Sequence, residues 1–288
     1  NKHFGKHQEC NTRCLIDKVT RFEDEHKHPM NIDSMTADDL RVFADFLSSD
    51  YDISMNTIVT NLTLMRTVCN WVRKQGVTNN DPFFGYDMPK ALYGTPYFLT
   101  IQERDQVLDA DLTDDAELAE YRDMFVFQCM VGCRHSDLVT FTPKNISDGV
   151  LEYIPIKTKG KLGDVVRVPL IPKAMAILDG HDHGDDEPIF PKHYNFKFND
   201  AIRRILKRAK VNRVVTVINP KTRLEEKKPI SDVATSHLAR RTFIGNLYRM
   251  VKDPDLVASM SGHAKGSVAF ARYRVIDDDM KKSLVELI

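Results

Sequence analysis

The chain reads TSHLARRTF at residues 235–243 and SGHAKGSVAFARY at residues 261–273, and these two segments decide the fold and function that we expect. His237 and Arg240 are three residues apart, so on a helix their side chains share one face. Tyr273 ends the second segment. Basic and proton-donating side chains beside a tyrosine indicate phosphate chemistry. The alternative interpretation is a basic helix end next to a core tyrosine.

Two hydroxyl residues mark the start of the first helix. Thr235 or Ser236 can cap its first turn, which places His237 and Arg240 close to a helix N-terminus. Anions are favoured there because the first N–H groups lack partners and the helix dipole is positive at that end. The capped start therefore suits a phosphate group.

Composition indicates a globular protein without naming a partner. Of the 288 residues 42% are hydrophobic, and 41 Lys and Arg balance 41 Asp and Glu. Residues 197–213 hold seven basic residues and one acid, whereas 103–123 are mostly acidic, so a neutral total can hide a basic face. Five cysteines favour a reducing cytoplasm over a disulfide framework. The sequence contains no run of about 18 apolar residues, so it predicts no membrane span. The first residue is Asn, which favours a truncated chain.

A row of potential zinc ligands near the amino terminus does not lead us to predict a metal site. The four residues are spaced four, three and four apart on one helical face, which is too long a row for one ion. We interpret it as a packed helix face and expect neither a metal nor a cofactor. The residues are His3, His7, Cys10 and Cys14.

The first part of the chain predicts a small all-helical domain followed by a linker. A capping-box pattern at Thr36 and Asp39 begins an amphipathic helix. Residues 77–97 hold three Pro and two Gly without helical periodicity, which is typical of a linker. A second capping box follows at Thr100. We therefore place a domain boundary near residue 95, with an all-helical domain before it and a second domain at 96–288.

The second part mixes helices with strands. Gly132-Cys133-Arg134 predicts a turn, with Ser136-Asp137 capping the next helix. Two strand-like runs within 150–170 flank a turn rich in Gly and Lys, and 214–230 predicts another hairpin. We expect a mainly α protein with a small β-sheet, in which an all-helical domain precedes a mixed α+β domain. The first hairpin presents Lys157, Lys159 and Lys161.

Five motifs in a fixed order carry a family resemblance. They are GCRHSDL at 132–138, a lysine-bearing hairpin ending in VPL at 168–170, HLAR at 237–240, SGH at 261–263, and Tyr273. This order resembles the catalytic domain of tyrosine recombinases of the phage-integrase family. The helical module, the linker and the LTIQE start look like the core-binding domain and junction of that family. The TSHLARRTF wording and the extra hairpin are similar to integrases of conjugative transposons and related mobile elements.

The resemblance implies a catalytic role for each matching residue. Arg134 and Arg240 would hold the non-bridging oxygens of the scissile phosphate, a task that suits a guanidinium. Tyr273 would attack phosphorus, giving a 3′-phosphotyrosine link and a free 5′-hydroxyl. His237 would accept a proton or orient a group, and His263 would donate a hydrogen bond to the phosphate.

The resemblance places the general acid on the lysine-bearing hairpin. Lys161 stands eight residues before Pro169, which is the spacing of the family's hairpin lysine, and it would protonate the leaving 5′ oxygen. Lys159 is the second choice and Lys157 the third. Rejoining would need neither ATP nor a metal, because energy is kept in the phosphotyrosine bond.

Elementary chemistry supports the same residue types. A phosphodiester is anionic, so charge stabilisation is the main contribution that a protein can make to its cleavage. A tyrosine has a free pKa near 10, so it needs nearby cations and a proton acceptor to react as phenolate. No carboxylate cluster accompanies the motifs, which argues against a two-metal nuclease. Tyr273 lies ten residues after His263 where nine are common in the family, and the loop 264–266 can absorb the extra residue.

The expected partner is duplex DNA at recombination sites. Strand exchange needs four cuts, so we expect a homotetramer in the synaptic complex, together with accessory DNA-bending or directionality factors, in a bacterial cytoplasm near the nucleoid. The alternatives are a type IB topoisomerase and a catalytically silent DNA-binding relative. The residues expected to contact DNA are Arg66, Lys74, Lys159, Arg203, Arg204, Lys207 and Arg208.

Overall fold

The computed structural model describes residues 6–158, 165–181, 184–251, 253–263 and 285. Its contacts divide the chain into two compact units, one made of residues 1–94 with 218–226 and the other of 95–217 with 227–288. The turn of the second predicted hairpin thus groups with the first unit. The assignment of a core-binding and a catalytic domain on either side of residue 95 stays a prediction.

The described part of the first unit is built on three helices, of which the second begins at the predicted capping box. Thr36 and Asp39 form a reciprocal capping box at the start of the second helix, and the Ser54 side chain accepts from the Thr57 N–H at the start of the third. Their apolar faces enclose a core that includes Phe22 and Phe43. The helices are α1 (Lys6–His26), α2 (Ala37–Ser49) and α3 (Met55–Lys74).

The second unit combines further helices with two small sheets. The Thr100–Glu103 capping box begins its first helix, as predicted. The helices are α4 (Ile101–Leu108), α5 (Ala116–Val131), α6 (His135–Leu138), α7 (Pro172–Asp179), α8 (Asn195–Arg208), α9 (Ile230–Val233), α10 (Ser236–Val251) and α11 (Pro254–Ser261). The strands are β1 (Ile146–Ser147), β2 (Val150–Tyr153), β3 (Val166–Pro169), β4 (Val214–Ile218) and β5 (Glu225–Pro229).

Both sheets are small. Strands β1, β2 and β3 form an antiparallel sheet in that order, with Leu151 opposite Val168 and Tyr153 opposite Val166. These four side chains are buried, because alternate residues of a strand point to the same face. Strands β4 and β5 form a separate pair. The predicted fold class, mainly helical with a small β-sheet, is confirmed.

Helix α5 is the centre of the second unit. Every residue from Met124 to Val131 is buried, and α4, α7, α8 and α10 all pack against the helix. Such all-round burial is typical of a core helix. The helix ends at Gly132, whose left-handed backbone (φ 69°) turns the chain sharply before Arg134. A Cβ at Gly132 would lie 2.2 Å from the Phe243 ring on α10. The packing of α5 against α10 therefore fixes the backbone that leads into Arg134.

This close approach predicts a specific loss of stability. We expect Gly132→Ala to lower the free energy of unfolding by about 1 kcal/mol from backbone strain plus about 1–3 kcal/mol from overpacking against Phe243. Gly149→Ala is the matched control, since Gly149 shares a positive φ (71°) but has open space around it. Urea unfolding of both variants measures the difference. Equal losses would contradict the packing argument, and adding Phe243→Leu should restore part of the loss only in the Gly132 variant.

Candidate active site

The start of α10 is held by side chains of α8. The Ser236 N–H donates to Asn199 Oδ1 at 2.8 Å, and the Ser236 hydroxyl bonds Asn195 Oδ1 at 3.1 Å. These bonds occupy donors at the end of a helix that would otherwise lack partners. His237 follows with an exposed side chain, while Arg240, one turn on, points into the protein. Helix α8 therefore fixes the point from which both predicted residues project.

Arg240 is a buried guanidinium with two strong partners. It is 1% exposed, its Nη1 donates to the Gly132 carbonyl at 2.7 Å, and its Nη2 lies 3.0 Å from His263 Nδ1. Burial of an unpaired charge costs several kcal/mol of folding free energy. These two contacts therefore make the burial of the Arg240 guanidinium possible. Arg240 joins the end of α5 to the residue that follows α11.

Arg134 lies at the N-cap position of α6 in an extended conformation (φ −78°, ψ 153°). Its side chain is 25% exposed, and Nη1 is 4.0 Å from Asp137 Oδ2. Nη1 is buried without a hydrogen-bond partner in the part of the chain that the structure describes. A guanidinium with an N–H donor that lacks a protein partner suits an anionic ligand.

Asp137 is a site residue for which sequence patterns predict only a capping role with Ser136. That prediction is wrong, because both residues lie inside α6 and Arg134 occupies the N-cap position. Asp137 is 1% exposed, and its Oδ1 accepts the Ile156 N–H at 2.9 Å. It ties the segment after β2 to α6 and faces Arg134 with its other oxygen. The sequence feature that could have identified Asp137 as a site residue is its i,i+3 spacing from Arg134.

His263 completes the cluster with a neutral ring. It follows Gly262, which ends α11 in a left-handed conformation, and its Nδ1 lies 2.9 Å from Ser261 Oγ. Burial above all, and then the positive charges of Arg240 and Arg134, lower the pKa of His263 to about 3. A neutral imidazole keeps one N–H donor near physiological pH. The ring can therefore donate to an anion without carrying a charge itself.

The hairpin lysines and the tyrosine divide between described and undescribed residues. Lys157 lies in a short 3-10 turn at Ile156–Thr158, is exposed, and contributes to the positive field that lowers the His263 pKa. Lys159, Lys161 and Tyr273 lie outside the described residues. The structure thus brings together Arg134, His237, Arg240 and His263 of the six predicted catalytic residues.

The predicted DNA-contacting residues fall into two groups. Arg66 and Lys74 are exposed on α3. The four on α8 each form an ion pair with a carboxylate of their own unit, so a phosphate would have to displace that carboxylate. The pairs are Arg203–Asp200 at 3.3 Å, Arg204–Asp115 at 2.8 Å, Lys207–Asp232 at 2.8 Å and Arg208–Asp114 at 2.6 Å.

The sequence matches the family model described as phage integrase family over residues 97–280. The chain belongs to this family. The match covers most of the chain, including every element of the site just described. No curated protein sequence matches the chain significantly. In the described part of the chain, no helix is both long and apolar enough to cross a membrane.

Solved integrase structures share the fold at low sequence identity. An integrase of transposon Tn1549 in complex with a circular intermediate DNA is 15% identical with a TM-score of 0.70, covering 99% of this chain and 95% of that one. A lambda integrase dimer bound to a COC′ core site is 14% identical with a TM-score of 0.67, covering 96% and 91%. The XerH recombinase bound to its difH substrate is 14% identical with a TM-score of 0.61, covering 94% and 76%. The predicted resemblance to tyrosine recombinases is confirmed.

The lowered pKa of His263 predicts a pH-dependent stability. The unfolded chain binds a proton at this ring below about pH 6.5, whereas the folded chain stays neutral there until about pH 3. The free energy of unfolding should therefore fall as the pH decreases between these values. His263→Gln keeps an acceptor for Arg240 but cannot titrate, so it should lose less stability on acidification than the wild type. Urea unfolding at several pH values measures both slopes, and identical slopes would contradict the assignment.

Proposed function

We propose that this integrase-family chain is a site-specific DNA recombinase that cuts and rejoins DNA strands through a 3′-phosphotyrosine intermediate, to integrate or excise a mobile element. The observation that carries the proposal is the convergence of Arg134, Arg240 and His263 at one spot. Two guanidinium groups and a neutral imidazole face each other there, with Asp137 as the one carboxylate lying against Arg134 among the described residues. This excess of positive charge fits a phosphodiester.

The phosphate would be held by groups that are fixed before it arrives. Arg240 is anchored by the Gly132 carbonyl, so its guanidinium does not have to be ordered on binding, and Arg134 lies 4.0 Å from the Asp137 carboxylate. Fixed donors stabilise negative charge that develops on the non-bridging oxygens of the transition state. His263 adds an N–H donor, because burial, and then the charges of the two neighbouring arginines, lower its pKa and keep the ring neutral.

The chemical step is assigned through the family resemblance. The Tyr273 oxygen attacks phosphorus, the bond from phosphorus to the 5′ oxygen breaks, and Lys161 gives its proton to that oxygen. His237, exposed beside the site, takes the phenolic proton or orients the reacting group. In the reverse step a 5′-hydroxyl attacks the phosphotyrosine, which regenerates the phenol and the diester without ATP.

The partners follow from the same assignment. In the related structures, Tn1549 integrase is bound to transposon end or circular intermediate DNA, lambda integrase to a core site and XerH to difH. By analogy we propose duplex DNA at recombination sites as the substrate of this chain, and a homotetramer as the assembly that exchanges strands. The transposon structures support a role in the movement of a mobile element.

The nucleophile assignment predicts the fate of a covalent adduct. Incubation with a nicked half-site duplex should trap the wild-type protein on DNA as a species that resists SDS, because the departing 5′ fragment diffuses away. Tyr273→Phe should abolish this species. The variant protein should remain as stable as the wild type, since only a hydroxyl is removed. Tyr248→Phe serves as the matched control and should cleave normally. An adduct that persists in the Tyr273 variant would refute the assignment.

The general-acid assignment predicts a chemical rescue. Lys161→Ala should cleave ordinary DNA slowly, yet recover on a substrate with a 5′-bridging phosphorothiolate, because sulfur leaves without needing a proton. Lys159→Ala provides the comparison and should show no such substrate dependence. Gel assays of the cleavage rate on both substrates measure the effect, and rescue of the Lys159 variant alone would move the role to that residue.

A further inference from the structure

Two neighbouring aromatic side chains at the start of α8 stand out into solvent. Tyr194 is 76% exposed and Phe196 is 68% exposed, and their rings stack with centroids 6.1 Å apart at 25°. Aromatic side chains gain most from burial, so two of them side by side on a surface indicate a contact site. The sequence patterns considered above do not predict any role for this pair.

The pair is tied directly to the candidate active site. Asn195, which lies between the two aromatic residues, accepts from the Ser236 hydroxyl, and Asn199 one turn later accepts from the Ser236 N–H. Ser236 immediately precedes His237. The aromatic pair is therefore continuous with the start of α10, on the border of the cluster that we assign to the scissile phosphate.

Charge distinguishes this end of α8 from the other. Lys192 and Lys197 flank the aromatic pair and are exposed, and neither forms an ion pair among the described residues. Asp200, the carboxylate nearest along the helix, pairs with Arg203 instead. The remaining basic residues of α8 are neutralised by carboxylates, as described above. Lys192 and Lys197 thus place uncompensated positive charge on either side of the two exposed rings in the sequence. This charge is complementary to a polyanion.

We propose that Tyr194 and Phe196 read DNA sequence by apolar contact with thymine methyl groups in the major groove beside the scissile phosphate. This inference rests on the proposed recombinase function. The major groove admits an α-helix and displays the thymine C5-methyl group, for which an apolar side chain is a suitable partner. Lys192 and Lys197 bind the flanking phosphates and set the register. Both rings are more than two-thirds exposed, so their edges and faces are open to the base edges.

The test compares thymine with uracil, which differs only by the missing methyl group. A binding site is first selected from a randomised duplex library with the Tyr273→Phe protein, so that cleavage is not required. Replacing thymines of that site one at a time with deoxyuridine should weaken binding about fourfold at each contacted base, the factor expected for one buried methyl group. Tyr194→Ala/Phe196→Ala, made in the same background, should bind both versions equally.

Three further variants separate the contributions. Phe84→Ala, at another exposed aromatic residue, should keep the preference for thymine. Lys192→Ala and Lys197→Ala should weaken binding to both versions equally and lower the slope of log affinity against log salt by about one each.

Two results would overturn the proposal. One is a thymine preference that survives in the double aromatic variant. The other is a loss confined to single-stranded DNA, which would mean that the rings stack on unpaired bases. Failure of the recombinase function itself appears separately, as the absence of a covalent adduct with the wild-type protein.

Discussion

The second unit depends on the burial of one guanidinium. Arg240 is enclosed by protein, and its charge is tolerated because the Gly132 carbonyl and the His263 ring lie within hydrogen-bond distance. These partners come from the end of α5 and from the residue after α11. Three segments that are distant in sequence must therefore be in place together. The candidate site therefore exists only in the folded unit.

The same arginine controls the electrostatics of its neighbours. Its charge adds to burial in keeping His263 neutral, so the ring contributes a hydrogen-bond donor and no further repulsion between cations. Arg134 is balanced on one side by Asp137, which is itself anchored by the Ile156 N–H. Two guanidinium groups and one carboxylate leave the cluster with a net positive charge. Such preorganised charge is what phosphoryl chemistry requires of a protein.

Local signals predict the elements well, because their causes are local. The capping boxes at Thr36 and Thr100 and the left-handed glycine at 132 act within a few residues, and the structure has each of them. The burial of Arg240 and the role of Asp137 depend on contacts across the fold, such as the bond from Arg240 to Gly132. Motif order identifies these residues as a set but does not say which of them is enclosed.

Charge patterns in the sequence are incomplete for the same reason. The run of basic residues on α8 is visible in the sequence, whereas its carboxylate partners are not. Arg208 and Asp114 are 94 positions apart, and Arg204 and Asp115 are 89 apart. The exposure of Tyr194 and Phe196 is also a product of tertiary packing. Helical periodicity does not show which residues other elements of the fold will cover.

The ion pairs along α8 have a thermodynamic consequence for nucleic-acid binding. Sequence-independent attraction to DNA is driven by the release of counterions when free cations of the protein replace them on the phosphates. An arginine that already holds a carboxylate exchanges one anion for another and releases few ions. The second half of α8 therefore contributes little to this release of counterions, because its basic residues are already paired with carboxylates. For the recombinase function proposed above, this pairing lowers the sequence-independent affinity for DNA and leaves more of the binding free energy to the shape and bases of a site.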